Sequence, residues 1–345
     1  MIRICSSLAN AGYEITLVGR ENSFSSPIGY QPFKQKRLRI FFEKGPAFYV
    51  EYNIRLFFYL LFKSCDCICA IDLDTILPAY LVSTLRSKKR IYDAHEYFSQ
   101  LKEVIKRPVI YKIWHTIEKA MLPRFEWGYT VSKSIQADFE RLYGVKYEVI
   151  RNMPHLAAQT ISSPRDKNIL YQGAVNEGRG FEFLIPAMAN VDAQLIIYGD
   201  GNFMEQARNI THQNNLNHKI IFKGKLLPAE LNEITAEGYV GINLVENTGL
   251  NQYYSLANKF FDYVQHGVPQ VTMDFPEYRL LNEQFEVSVL IADLQPPLIS
   301  AALNKILNDT VLHQTLKTNC KAASKHWNWQ NEEKKLINFY KRILG

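Results

Sequence analysis

Short apolar runs alternate with helical stretches along almost the whole of this sequence, and that alternation restricts the fold more than any other feature. The runs 13–18, 37–42, 65–71, 90–92, 128–131 and 147–150 are β-branched or aromatic in character, as strands are. Between them lie helical patterns such as 77–86, 110–122 and 133–143. A second series comprises 168–172, 194–198, 219–222, 240–245, 269–273 and 287–291, with helical patterns such as 181–189 and 229–236 between. Strand and helix in succession predict parallel sheets covered on both faces. The chain therefore reads as α/β, with two Rossmann-like, doubly wound domains.

The best linker candidate lies between the two series. Arg151-Asn-Met-Pro154 runs into a polar stretch that ends in Ser162-Ser-Pro-Arg-Asp166, residue types that favour loops over regular elements. Residues 1–152 then form a first domain, 153–166 the linker and 167–326 a second domain. Residues 327–345 read as a terminal helix with Leu336, Phe339, Tyr340 and Ile343 apolar. No strand follows it, so it packs on something already built. In doubly wound sheets ligands sit at the carboxyl ends of strands, and two such domains facing each other leave a cleft as the expected ligand site.

At 345 residues the chain is long enough for two buried cores. Its longest apolar run, 56–62, is far too short to cross a bilayer, and polar Asn10 and Glu14 interrupt any leader-like stretch. A formal charge of +6 is mild. It permits attraction to phosphate-bearing ligands or to an anionic membrane surface without demanding either, and no nucleic-acid partner is expected. Five cysteines fit a reducing compartment, the cytoplasm or the inner face of its membrane. Cys65, Cys67 and Cys69 alternate along one strand, share a face and read as core. No Cys or His pair at zinc spacing accompanies them, and no metal site is expected.

The stretch Ser255-Leu-Ala-Asn-Lys-Phe-Phe-Asp-Tyr263 carries the most chemistry. It reads as a helix start, with Ser255 as N-cap and Gly267-Val-Pro269 as the stop. Within it Lys259, Asp262, Tyr263 and His266 fall at i, i+3, i+4 and i+7 and share a face, while Phe260, Phe261 and Val264 take the other. A cation and a carboxylate one turn apart at a helix start suit a ligand with both a phosphate and a sugar diol. The lysine and the helix amides meet the phosphate, and the carboxylate accepts from ribose hydroxyls. The same spacing also fits an exposed ion pair on an ordinary amphipathic helix.

Other motifs follow strands. Tyr92-Asp-Ala-His-Glu96 puts two carboxylates and an imidazole at a carboxyl end. His95 there can stabilise charge or hold a sugar hydroxyl; a loop histidine held by its neighbours is the plainer alternative. Gly173-Ala-Val-Asn-Glu-Gly-Arg179-Gly180 leads from the first strand of the second domain into a helix. Its glycines let backbone approach a ligand, and Arg179 can pair with a diphosphate; a strand-to-helix turn with an exposed arginine reads the same way. Tyr198-Gly-Asp-Gly201 is a tight turn whose glycines have a structural use. Asp72-Leu-Asp74 is expected to cap the next helix through Asp74 or Thr75, and Ser132 either faces the cleft or caps the helix that follows. The basic runs Lys34-Gln-Lys-Arg-Leu-Arg39 and Arg86-Ser-Lys-Lys-Arg90 read as solvated surface, and Phe57-Phe-Tyr59 as helix core.

Together these motifs, in this order, resemble family-four glycosyltransferases of the GT-B fold, above all the bacterial branch with an S-L-P-N-K-x-F-[DE]-Y box. The resemblance covers nearly the whole chain. It implies retaining, metal-independent transfer of a sugar from a nucleotide-diphosphate sugar to a carbohydrate or lipid-linked acceptor, as in polysaccharide biosynthesis, with no bound cofactor and with peripheral membrane contact allowed. By resemblance His95 and Glu96 take the catalytic position beside the transferred sugar, Lys259 and Arg179 lie near the diphosphate, and Asp262 holds the donor ribose. Gly173, Gly199, Asn247, Ser255 and Asn258 complete the implied donor site, and the terminal helix crosses back to the first domain. Three features depart from the family. Tyr254 stands where the signature has its first acid, so the donor sugar is held from elsewhere, by Asn247 or by backbone around Gly249-Leu-Asn251. Ala257 replaces the usual proline. Met1-Ile-Arg-Ile-Cys-Ser-Ser-Leu-Ala-Asn-Ala-Gly12 looks like the family's first helix, without the strand and glycine-rich turn that precede it there. Two rivals stay open: a nucleotide-sugar epimerase drawing its acid–base set from Asp93, His95 and Glu96, and a non-catalytic or truncated donor-binding protein.

Overall fold

In a computed structural model, which describes residues 1–22, 25, 27–156 and 166–345, the chain divides into two compact units. One comprises Met1–Arg151 with Asn331–Gly345, the other Asn152–Gln330. Most of the expected linker, residues 157–165, lies outside the described residues. Met153 belongs to the core of the second unit.

The first unit opens with α1 (Ile2–Asn10) and carries β1 (Thr16–Glu21), β2 (Lys34–Arg39), β3 (Cys67–Ile71), β4 (Lys89–Ala94), β5 (Trp127–Thr130) and β6 (Glu148–Val149). Between β2 and β4 come α2 (Gly45–Phe62) and α3 (Ile76–Leu85). Every pairing among these strands is parallel. They nevertheless form two sheets, β1-β2 and β3-β4-β5-β6, where a doubly wound domain was expected to form one. The basic run Lys34–Arg39, expected as solvated surface, is itself β2. It sits at a sheet edge, where charged side chains discourage further pairing, and Arg39 Nε meets Glu21 Oε2 at 3.1 Å. The expectation that Phe57-Phe-Tyr59 is helix core fails at Phe58, which is 54% exposed. α2 turns only one stripe inward, through Tyr52 and Leu56.

The terminal helix Trp329–Leu344 buries Leu336, Phe339, Tyr340 and Ile343. Phe339 meets Tyr129 of β5 edge-on at 5.3 Å between centroids, and Tyr340 lies 6.2 Å from Tyr13. Within the first unit the helix thus covers the end of the chain's own four-stranded sheet.

The second unit contains β7 (Asn168–Gln172), β8 (Gln194–Tyr198), β9 (Ile220–Gly224), β10 (Val240–Asn243), β11 (Gln270–Met273) and β12 (Ser288–Ile291). They form one parallel sheet in the order β12-β11-β10-β7-β8-β9. β10 and β11 are buried at every residue, as central parallel strands covered on both faces must be. The order reverses its direction of growth between β7 and β10. That switch point opens a crevice at the carboxyl ends of the strands, where ligands bind in such sheets. Among the described residues no helix is long and apolar enough to cross a membrane.

Candidate functional site

At the switch point three loops are stitched into one floor. Gly173 N donates to Tyr198 O at 2.9 Å, Val175 N to Asp200 O at 3.0 Å, and Glu246 N to Gly178 O at 3.0 Å. Gly173 takes a φ of +114°, in the left-handed region, and a Cβ on Gly199 would stand 1.8 Å from Gly173 O. Close backbone approach therefore demands Gly199 without any appeal to a ligand.

The helix Asn258–Gln265 rises from this floor. It starts later than expected. Ser255 is not its N-cap: Ser255 Oγ donates to Gln252 O at 2.8 Å, and Ala257 takes the cap position with no side-chain bond. A short preceding helix, Leu250–Tyr253, claims Ser255 for its own end. Ala257 N is satisfied by Tyr278 Oη at 3.0 Å. The expected sharing of a face by Lys259, Asp262 and Tyr263 is also corrected. Tyr263 is fully buried against the sheet and donates to Leu170 O at 2.9 Å. The apolar stripe is wide enough to take in that amphipathic ring, because the hydroxyl finds a partner inside. His266 Nδ1 lies 2.8 Å from Asp262 O and closes the helix end.

Lys259 is the exceptional group. Its stem is half-buried, but Nζ is enclosed and has no hydrogen-bond partner among the described residues. Nζ sits 3.5 Å from the centroid of the Tyr171 ring, a cation–π contact that recovers about 2 kcal/mol when desolvated. Tyr171 is fixed beneath it by donating to Ala174 O at 2.6 Å. Burial holds the Lys259 pKa well below its ordinary value, the charge of Arg179 lowers it further, and Asp262 opposes them only in part. Arg179 also acts on Tyr171 and Tyr278, which places its guanidinium in the same neighbourhood. Asp262 Oδ2 accepts from Gln172 Nε2 at 3.3 Å, and Gln172 Oε1 accepts from Thr235 Oγ1 at 2.6 Å. Gly173, Arg179, Lys259 and Asp262 are thus gathered at one place. Asn258 is exposed, its Oδ1 accepting from Asn152 Nδ2 at 3.2 Å. Asn247 lines a pocket of about 720 Å³ with Thr248, Tyr253, Asp274, Arg279 and Gln295, whose walls do not include Lys259 or Asp262.

The first unit has its own cluster at the carboxyl ends of β3 and β4. Asp93 is buried, and its Oδ2 accepts from Tyr129 Oη at 2.9 Å and lies 3.2 Å from His95 Nε2. Burial would push the His95 imidazole down, but the charge and hydrogen bond of Asp93, with Asp72 behind them, hold it above its ordinary value. The expected capping of the next helix by Asp74 or Thr75 is not found. Thr75 Oγ1 donates to Ile71 O at 2.7 Å. Asp72 caps no helix either; its Oδ1 ties down the turn after β4, accepting from His95 N at 2.8 Å and from Glu96 N at 3.2 Å. Burial, opposed by His95 and reinforced by Asp93, raises the Asp72 pKa to about 7, and burial raises Asp74 to about 6. Glu96 is exposed beside them. Ser132 is a true N-cap, its Oγ accepting from Ile135 N at 3.3 Å.

Sequence reasoning passed over Tyr171, Gln172, Thr235 and Asp72 as parts of these clusters. Tyr171 and Gln172 carried a usable signal, since they end the strand that runs into Gly173. Thr235 carried none. Among the described residues no group of three or more His, Cys, Asp or Glu is placed to hold a metal.

With the geometry in hand, comparison with known proteins is informative. Residues 166–309, which cover the second unit's sheet and the Lys259 helix, match the family model described as Glycosyl transferases group 1. The uncharacterized glycosyltransferase MJ1607 of Methanocaldococcus jannaschii is 22% identical over 183 residues, 51% of this chain and 45% of that protein. The match thus spans under half the length of that relative. Sucrose-phosphate synthase from Thermosynechococcus elongatus aligns with a TM-score of 0.78 at 17% identity, over 99% of this chain and 92% of that one. Anabaena Alr3699/HepE in complex with UDP aligns at 0.70 with 15% identity, over 91% and 86%. At these identities the structures establish the fold, an α/β protein with Rossmann-like parallel sheets in two units, consistent with the GT-B fold that the resemblance of the motifs implies.

Proposed function

We propose that this chain moves a sugar from a nucleoside diphosphate sugar to a hydroxyl of a carbohydrate or lipid-linked acceptor, with retention and without a metal. One observation carries the reading: an enclosed amine, Lys259 Nζ, held without a hydrogen-bond partner beside Arg179 at a switch-point crevice. A buried unpaired amine is costly, and a diphosphate is the kind of partner that repairs it. The UDP bound by Alr3699/HepE supports the donor class.

Heterolysis of the anomeric C–O bond sends the electron pair to the diphosphate oxygen and leaves positive charge on the sugar. Lys259, Arg179 and the amides at the start of the helix Asn258–Gln265 hold that negative charge. Asp262, oriented by Gln172 and Thr235, accepts from the pentose hydroxyls. The acceptor oxygen bonds to the anomeric carbon on the face the diphosphate leaves, and its proton passes to the departing diphosphate oxygen. His95, with Glu96 beside it, serves the transferred sugar as a hydrogen-bond donor whose pKa Asp93 raises. Asn247 or the backbone near Gly249 takes the sugar contact that Tyr254 cannot make.

An acceptor carried on lipid is supported by the outer face of the first unit. Val50, Ile54, Phe58 and Phe62 stand at i+4 steps on α2, between 52% and 82% exposed, with Leu81 and Leu85 exposed on α3, which packs against α2. Exposed Lys89, with half-buried Arg86, Lys88 and Arg90, follows α3. An apolar stripe with basic flanks fits an anionic lipid surface.

The test is a thermal-shift panel of nucleosides, nucleoside diphosphates and nucleoside diphosphate sugars, followed by mass spectrometry of transfer products. Nucleoside diphosphates are expected to raise Tm more than the nucleosides or pyrophosphate do. A protein indifferent to the whole panel would end this reading.

A further inference from the structure

Asp93 is a carboxylate that a strand buries almost completely. It is 1% exposed near the end of β4, and the parallel register sets it directly beside Tyr129 of β5. Neighbours in register point to the same face of a sheet, so the phenol and the acid meet. Tyr129 Oη donates to Asp93 Oδ2 at 2.9 Å, and His95 Nε2 lies 3.2 Å from that same oxygen. One buried oxygen thus serves two partners.

Tyr129 has little freedom to leave. It is fully buried, with Phe339 edge-on at 5.3 Å and Tyr340 at 6.5 Å between ring centroids. Cys69 of β3 acts on its hydroxyl from the other side. Cys67 and Cys69, expected as plain core, are half-buried and line a cavity of about 470 Å³ together with Tyr129 and Tyr340.

His95 sits at the outer end of this row. The charged groups that face it are Asp93 from β4, Asp72 from the turn after β3, Glu96 from its own loop and the amino group of Met1 ahead of α1. Among the described residues, Asp93 is the one carboxylate hydrogen-bonded to the ring. Met1 Sδ lies 2.9 Å from the same Nε2, but a thioether is a weak acceptor, so the carboxylate governs that nitrogen. A donor that bonds to an anion spreads its charge and weakens its hold on every other partner.

We propose that Tyr129 is a positioning residue for His95: by taking a share of the Asp93 oxygen, its hydroxyl limits how firmly the imidazole keeps its proton. Without the phenol, the whole charge of that oxygen falls on Nε2–H. The benefit to sugar transfer rests on the transferase reading; the link from Tyr129 through Asp93 to His95 does not.

Histidine ring signals followed by NMR against pH read the link directly, with His95 assigned by its absence in His95→Ala. Tyr129→Phe keeps the ring and removes only the hydroxyl. It is expected to raise the titration midpoint of His95 by about half a pH unit. In an Asp93→Asn background the same substitution should leave the midpoint where it is, because the effect passes through the carboxylate. Replacing Tyr129 by 3,5-difluorotyrosine, a stronger donor, should lower the midpoint and covers the case of a Phe variant that does not fold. Where transfer is measurable, the pH profile of kcat should move with the midpoint while the donor KM stays unchanged. A midpoint unchanged or lowered by Tyr129→Phe, or raised as much in the Asp93→Asn background, overturns the proposal. The expected midpoint shifts in a protein that transfers no sugar would support the link and end the transferase reading.

Discussion

At the carboxyl ends of its strands the first unit gathers acids, and the second gathers cations. Asp72, Asp93 and Glu96 stand beside His95 in one, with Asp74 next to Asp72; Arg179 and Lys259 outweigh Asp262 in the other. Burial works against the charged form in both, pushing Asp72 and Asp74 up and Lys259 down. The difference teaches that burial strains charges of opposite sign at the two sites, and that Lys259 Nζ lacks a partner among the described residues whereas Asp72 and Asp93 are hydrogen-bonded. Heterolysis of a glycosyl diphosphate creates one positive and one negative centre, and the cations of the second unit match the negative one in sign.

The comparison breaks most visibly at His95. His95→Ala is expected to lower turnover about a hundredfold while leaving the dissociation constant of UDP unchanged, as read by calorimetry beside steady-state kinetics. Loss of binding to the same degree would mean that the acidic cluster does not act on the sugar alone. Lys259→Met comes next. It should weaken UDP about a hundredfold, a loss of about 2.7 kcal/mol, and at the same time raise the Tm of the ligand-free protein, because an unpaired buried amine costs about 1–3 kcal/mol. A lower ligand-free Tm would make Lys259 a structural residue. Asp262→Ala sharpens the division within the cationic site. It is expected to weaken UDP by roughly ten- to a hundredfold and to leave pyrophosphate untouched; equal losses for the two ligands would remove the carboxylate from the pentose.

The smallest effect is a matter of pH, and its sign differs between the units. Asp72 holds its proton more tightly folded than unfolded, so its contribution to stability is full below about pH 4 and is lost as pH rises towards 7. Lys259 holds its proton less tightly folded, so its contribution improves as pH rises from its lowered value towards the ordinary lysine value of 10.5. Asp72→Asn should flatten the first dependence between pH 4 and 7, because an amide oxygen still accepts from His95 N and Glu96 N. Urea unfolding at several pH values measures it, and an unchanged slope would place the acid elsewhere.

Much of the fold was legible. The strands 168–172 and 194–198 were read to the residue, and the others to within a few residues, because alternating burial writes itself into short apolar runs. β2 was read three residues late, since its charged sequence hides an edge strand. The helix Asn258–Gln265 was read early because Ser255 suits two neighbouring helices and local sequence does not say which one takes it. Among the site residues, Gly173, Arg179, Lys259 and Asp262 were named and are brought together, while Asn247 lines a different pocket.

What the sequence by itself determined was the succession of elements, the parallel character of the sheets, and the chemistry available at each carboxyl end. These depend on residues near one another in the chain. Which groups are buried, and beside what, was left to the tertiary structure. Thr235 reaches Gln172 across 63 positions, Lys259 lies over the ring of Tyr171, and β1 and β3 stand beside one cavity without pairing. Desolvation and strand pairing are set by neighbours distant in sequence, and no local pattern records them.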